Sequence, residues 1–286
     1  MTNNTLNVFL LIIAAVVIGY IIKIGLSYLG SLLGFFSNDI FSAAYRGNID
    51  KIRNFIETGA DIDAQNSNGY TILHIAVAKG NRELIQYLLE KKANANIMSF
   101  AKEGDGPIDP VIGNAPIHYA IFEDRNDILK MLLENDADAD IENSNGSTPL
   151  FLAIKRYNLE AVKLLLDYNC SLEEGILFHT VSAQQAADEK RTLEELKQIS
   201  FDIFNLLLEK GANPHYLNFD ENLLTFTNIL KVTEKLIDLG LNVNHVRKSN
   251  GCTPLKKHKE KIFKNKEDKA IIELLISKGA MESGAG

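Results

Sequence analysis

Cysteine is nearly absent. The 286-residue chain holds two, Cys170 and Cys252, far apart and at positions where small side chains pack, so no disulfide framework is implied and the redox compartment stays open. Also missing are the short patterns that carry chemistry: no His-x-x-x-His, no Cys-x-x-Cys, no glycine-rich phosphate loop and no Gly-x-Ser-x-Gly elbow. Asp136, Asp138 and Asp140 alternate as calcium ligands do, yet the loop glycine and the distal glutamate are lacking. No catalytic residue, no metal site and no cofactor are therefore expected, and the chain reads as a non-enzyme. A basic surplus is lacking too, since 30 Lys and Arg stand against 37 Asp and Glu for a net charge of −7. That balance disfavours the many phosphate contacts on which nucleic-acid binding rests.

Charge is also missing from one long run. Between Val8 and Ile22 the sequence carries none, and beyond Lys23 an apolar stretch continues to Phe36. About 20 apolar residues cross a bilayer core. No Lys or Arg occurs before this run and Tyr20 to Gly25 offers no Ala-x-Ala, so a cleaved signal peptide is disfavoured. The reading is an uncleaved transmembrane helix in an anchor at 1–37, with Lys23 snorkelling toward the nearer headgroups. Arg46, Lys51 and Arg53 follow the run and no basic residue precedes it, which predicts a single-pass membrane protein with its main body in the cytoplasm. The alternative is the periplasmic side of a bacterial inner membrane. Ser27, Gly30, Ser31 and Gly34 share a helical face, and Ala15 stands four before Gly19. Such spacing lets helix backbones approach in lipid and would permit a homo-oligomer.

What the chain has in abundance is repetition. The element Gly59-Ala60-Asp61 recurs as Lys92-Ala93-Asn94, Asp136-Ala137-Asp138, Asn169-Cys170-Ser171, Gly211-Ala212-Asn213, Gly240-Leu241-Asn242 and Gly279-Ala280-Met281, with central residues 33, 44, 33, 42, 29 and 39 positions apart. A period of 33 with insertions explains this series. Before Thr71, Thr148 and Thr253 stand Ser67-Asn68-Gly69, Ser144-Asn145-Gly146 and Ser249-Asn250-Gly251, tight-turn signals because Asn and Gly both tolerate positive φ. Thr71 and Thr148 can cap a first helix, with Pro149 at N1. After Gly80 a second helix places Leu84, Ile85, Leu88 and Leu89 on one face, a stripe repeated by Leu129, Leu132 and Leu133 and by Val162, Leu165 and Leu166. One such hairpin cannot bury its apolar face alone, so each unit needs its neighbours.

Thr71-Ile72-Leu73-His74, Ala115-Pro116-Ile117-His118, Thr148-Pro149-Leu150-Phe151 and Thr253-Pro254-Leu255-Lys256 stand where the ankyrin repeat has Thr-Pro-Leu-His. The chain resembles that family over about residues 38–282. The resemblance implies an all-α solenoid of about seven helix-turn-helix repeats, with a tail at 283–286 and His74 and His118 in structural roles. It further implies a protein-binding module whose groove is lined by hairpin tips and by the residues ending each first helix. In this sequence those positions are Tyr45 and Arg46, then Tyr70, Ala78 and Lys79, then Asn114, Phe122 and Glu123, then Ser147, Lys155 and Arg156. Three aromatics, four basic residues and one acid in a chain of net charge −7 predict an acidic protein partner.

Two insertions depart from the period. Residues 98–112 contain Gly104-Asp105-Gly106-Pro107 and Asp109-Pro110 and read as a loop extending a hairpin. Residues 184–198 mix strong helix formers with charge and read as a helical hairpin jutting from the fifth unit. Seven lysines between Lys256 and Lys269 read as a solvated cap. The expected function is a membrane-anchored adaptor that captures a protein partner. The alternatives are an inhibitor or immunity protein neutralising a toxin at the membrane, and a homo-oligomeric structural protein built through the anchor.

Overall fold

The computed structural model describes residues 39–100, 113–182, 191–261 and 265–282. Among them twelve α-helices and two 3-10 helices occur. Four helix pairs come first: α1 (Ile40–Tyr45) with α2 (Ile49–Glu57), α3 (Ile72–Lys79) with α4 (Arg82–Glu90), α5 (Pro116–Phe122) with α6 (Asn126–Leu133), and α7 (Pro149–Lys155) with α8 (Leu159–Asp167). A 3-10 turn at Ile176–His179 then precedes α9 (Leu193–Glu209), and another at Leu223–Thr225 precedes α10 (Leu230–Asp238). The pair α11 (Pro254–Glu260) and α12 (Lys266–Ser277) closes the array.

Local chemistry sets the ends of these elements. The Thr71, Thr148 and Thr253 hydroxyls accept from the backbone N–H three residues on, at 3.4, 3.2 and 3.2 Å, and Pro116, Pro149 and Pro254 occupy first-turn positions where no amide donor is needed. Asn48, Asn81 and Asn158 cap the second helices in the same way at 3.0, 3.1 and 3.0 Å. Between the two helices the chain reverses through a left-handed residue, Gly47, Gly80, Asp124 or Tyr157. At Gly80 (φ +69°) an added Cβ would lie 1.4 Å from Arg125 Nη1. Gly80→Ala should therefore both strain the backbone and displace Arg125, lowering the unfolding free energy by about 1 to 2 kcal/mol in a denaturant titration.

First helices stack on first helices and second on second. In the inner layer α3 packs between α1 and α5, α5 against α7, α7 against the first 3-10 turn, and α11 against the second. The outer layer runs α4, α6, α8, α9, α10, α12. One core of buried residues extends from Ile40 to Leu241, while Leu255, Ile271 and Leu275 form a small separate cluster in the last unit. Ile237 and Val243 pack against both clusters. Each element meets the next along the row, as a one-dimensional stack requires.

Three expectations are corrected. Units five and six were expected to have first helices, and they have single 3-10 turns. In unit six the cause is length: the 29-residue spacing falls four short of the period, about one turn of helix. Thr225 and Thr227 there spend their hydroxyls on Asn222 and on the Ile229 carbonyl.

Residues 193–198 do not jut. They are the first turns of the 17-residue α9, where Leu196 and Lys197 are buried. Lys197 Nζ donates to Glu194 at 2.9 Å and to Glu267 of α12. Glu267 also accepts from the Leu230 N–H at 2.8 Å, capping α10, which has no side-chain cap of its own. One carboxylate thus ties three outer helices. Burial alone would lower the Lys197 ammonium, but its bonds to Glu267 and Glu194 prevail and hold its pKa above the ordinary lysine value.

The expected transmembrane helix is not part of this fold as described. Among the described residues no helix is long and apolar enough to cross a membrane, which conflicts with the single-pass membrane assignment. The longest, α9, has 17 residues and buries only one face, against the roughly 20 continuously apolar residues a bilayer demands. Val8, Ile22, Lys23 and the small-residue face through Ser27 and Gly34 lie outside the described residues, as do 101–112 and 184–190 of the two insertions.

Candidate functional site: the inner face of the helix stack

Because the inner helices bury one side against the outer layer, their other side and the adjoining hairpins form the surface on which the predicted residues converge. Arg46, Lys79, Glu123 and Lys155 are exposed at the inner-helix ends, and Tyr45, Ala78, Phe122, Ser147 and Arg156 are half-buried beside them. Two predicted residues do not belong to this surface. Tyr70 is 3% exposed and Asn114 0%, because both serve packing. The Tyr70 ring meets Tyr119 edge-on at 6.2 Å. Asn114 accepts from His74 Nε2 at 3.0 Å and from Asn143 Nδ2 at 3.1 Å, and its N–H donates to Ser99 Oγ at 3.0 Å. Burial raises the Tyr45 phenol pKa, opposed by a hydrogen bond with Asn66.

The histidines hold this face in register. The Thr71 N–H donates to His74 Nδ1 at 3.1 Å, so Nε2 carries the proton that reaches Asn114 O in the next unit. His118 repeats the device, accepting from the Ala115 N–H at 3.0 Å and donating to Ile141 O at 3.1 Å. His258, in α11, reaches back instead, to Leu224 O at 2.9 Å. Burial pushes all three imidazoles down to about 4, so they are neutral near pH 7.

Lower loops are laced by carboxylates and amides. Asp63 accepts from the Asn94 N–H at 2.9 Å, Asn96 from the Asp138 N–H at 2.8 Å, and Asp140 from the Ser171 N–H at 2.7 Å. The alternating aspartates of unit three are thus stitches between units. The Cys170 thiol is pushed up to about 12 by burial, with the Asp140 charge adding to it, which makes it a poor nucleophile.

Arginines on the same lip escaped sequence reading. Arg125 Nη2 donates to Ala78 O at 3.3 Å, and Arg191 donates to Tyr157 O and Arg156 O at 2.9 and 3.0 Å. Each places a cation at the carbonyl end of an inner helix of the preceding unit. Arg156 pairs with Asp124 at 3.3 Å. The signal was available for Arg125, which stands in the column occupied by Asn48, Asn81 and Asn158 in the other units. Arg191 carried none, because it follows an insertion that breaks the register.

A family model of ankyrin repeats in three copies matches residues 40–143 and again 117–218. The chain belongs to the ankyrin-repeat family. A Rickettsia bellii protein named for its ankyrin repeats is 30% identical over 122 residues, 43% of this chain and 33% of that protein. A fowlpox virus ankyrin repeat protein is 31% identical over 176 residues, 61% of this chain and 36% of its own length. The chain thus spans about a third of these relatives. The phosphocholine transferase AnkX of Legionella pneumophila is 26% identical over 132 residues, only 13% of that enzyme. Ankyrin repeats generally mediate contacts between proteins.

Proposed function

We propose that this chain is a protein-binding module that takes a partner with an acidic face along the inner surface of its first four units, and that it acts by binding without catalysis. The carrying observation is the alignment of exposed Arg46, Lys79 and Lys155 with half-buried Tyr45 and Phe122 on stacked inner helices. Their backbone is held by inter-unit bonds, so little ordering is needed on binding. Aromatic anchors beside cations are the usual hot-spot chemistry, and the basic lip favours fast association with an acidic surface.

Panning the full chain against a displayed random-peptide library should enrich Asp- and Glu-rich sequences. The Phe122→Ala and Lys155→Glu variants should each weaken the enriched binders by about tenfold, with the thermal midpoint nearly unchanged. Tyr70→Ala, by contrast, should lower stability, since that ring is core. Enrichment of basic sequences, or binders indifferent to Phe122 and Lys155, would move the site elsewhere.

A further inference from the structure

Where the inner helices give way to 3-10 turns, the wall of the array changes character. Phe178 in the first turn meets Phe226, just after the second, at 5.4 Å and Tyr216 at 6.4 Å, both edge-on. The Tyr216 ring lies against Gly175, where a Cβ would come within 2.8 Å of it. One position along, Phe151 of α7 meets His179 at 4.7 Å. These rings are not covered: Phe226 is 39% exposed, and Phe178, Tyr216 and Phe151 are half-buried. The inner helices elsewhere run about two turns; a single turn covers less of the wall.

A second observation points the same way. Asn218 and Glu221 exchange backbone bonds at 3.0 and 2.9 Å around a two-residue tip made of Phe219 (φ +49°) and Asp220 (φ +61°). Positive φ is uncommon and unfavourable for a bulky residue. Phe219 gains no burial in return, being 82% exposed. An aromatic held at a strained, solvated tip is an outlier of the kind found at recognition sites.

Charge on either side limits what fits there. Exposed Lys155 lies on one flank, in α7, and exposed Lys257 on the other, in α11, beside half-buried Lys256. Three nearby carboxylates are engaged within the fold: Glu173 accepts from Thr148 Oγ1 at 2.7 Å, Glu221 pairs with Arg247 at 3.2 Å, and Asp220 accepts from the Lys248 N–H at 2.8 Å.

We propose that the wall of units five and six is a second docking site, for an extended peptide segment with an aromatic or aliphatic centre and acidic residues at both ends. This rests on the reading of the chain as a protein-binding module. From α7 to α11 is three steps of the inner layer, roughly 25 to 30 Å at 8 to 10 Å per packed element, which about eight or nine extended residues span. The apolar centre would lie on Phe178 and Phe226 with Phe219 closing over it, and the terminal carboxylates would meet Lys155 and Lys257.

The test titrates the full chain with three fluorescent peptides. One carries Phe-Leu-Phe between Asp and Glu tracts, one the same centre between Lys tracts, and one a Gly-Ser centre between acidic tracts. The first should bind about tenfold tighter than either control. Phe219→Ala, at an exposed tip without core contacts, should weaken it about fivefold, and Phe219→Ala with Phe226→Ala about tenfold or more. Lys257→Glu should weaken it and reduce its salt dependence. Phe122→Ala should leave it unchanged. Weakening by Phe122→Ala but not by Phe219→Ala would place the peptide on the first four units, overturning this site while the protein-binding reading stands. Equal binding of the acidic- and lysine-flanked peptides, or no binding of any, would also overturn it, whereas the groove reading fails only if the library panning fails.

Discussion

Replacing Leu132 by Ala should lower the unfolding free energy by about 2 to 5 kcal/mol, the loss expected for a fully buried leucine whose cavity does not collapse. Leu132 is 0% exposed and lies on α6, which packs on α5 within its unit and on α4 and α8 to either side. Because a repeat array is stabilised unit by unit and interface by interface, the loss should not stay local. Amide exchange should accelerate in α4 and α8 as well as in α5 and α6, and fastest in unit three. A denaturant midpoint within experimental error of the parent, or exchange unchanged outside α6, would contradict the nearest-neighbour account of this stack.

Acidification should destabilise the array well before the carboxylates are neutralised. In the unfolded chain an imidazole takes up its proton near pH 6.5, whereas His74, His118 and His258 stay neutral in the fold down to about 4. Between those values the unfolded state binds more protons. Stability is therefore full above about pH 6.5 and falls as pH drops toward 4, by up to about 1.4 kcal/mol per pH unit for each histidine. Across the three this amounts to several kcal/mol, enough to unfold a marginal domain. Thermal midpoints measured from pH 7.5 to 4 should decline, and His118→Gln should flatten the decline by about a third while lowering the midpoint at pH 7. A flat profile in the parent would mean that these imidazoles accept protons in place without losing Asn114 O, Ile141 O and Leu224 O.

Much of this was readable residue by residue. The Thr-Pro-Leu-His columns, the Asn caps and the apolar stripes of the second helices act within four or five residues, and propensity and hydrogen-bond geometry operate over that range. The inner-face residues at helix ends, Arg46, Lys79, Glu123 and Lys155, were legible for the same reason: a helix end inherits its exposure from the period. Tyr70 and Asn114 were not. Both stand at hairpin positions that the period makes solvent-facing, and the Tyr119 ring, the His74 imidazole and the Asn143 amide that meet them come from other units. Residues 193–198 failed similarly, since a run of helix formers reads the same whether it projects or packs, and only Glu267, some 70 residues on, reveals which.

By itself the sequence determined the repeat, its 33-residue period, the two-layer arrangement and the family, because each is a pattern of local preference repeated until it leaves one solution. Tertiary structure decided which side chains each unit lends to its neighbour: the histidine stitches to carbonyls up to 40 residues away, the arginines on preceding helix ends, the Lys197 and Glu267 tie, and the uncovered rings at Phe178 and Phe226. These depend on the stacking offset between units, and where 29- and 42-residue spacings break the period that offset is set by packing, which no local pattern encodes.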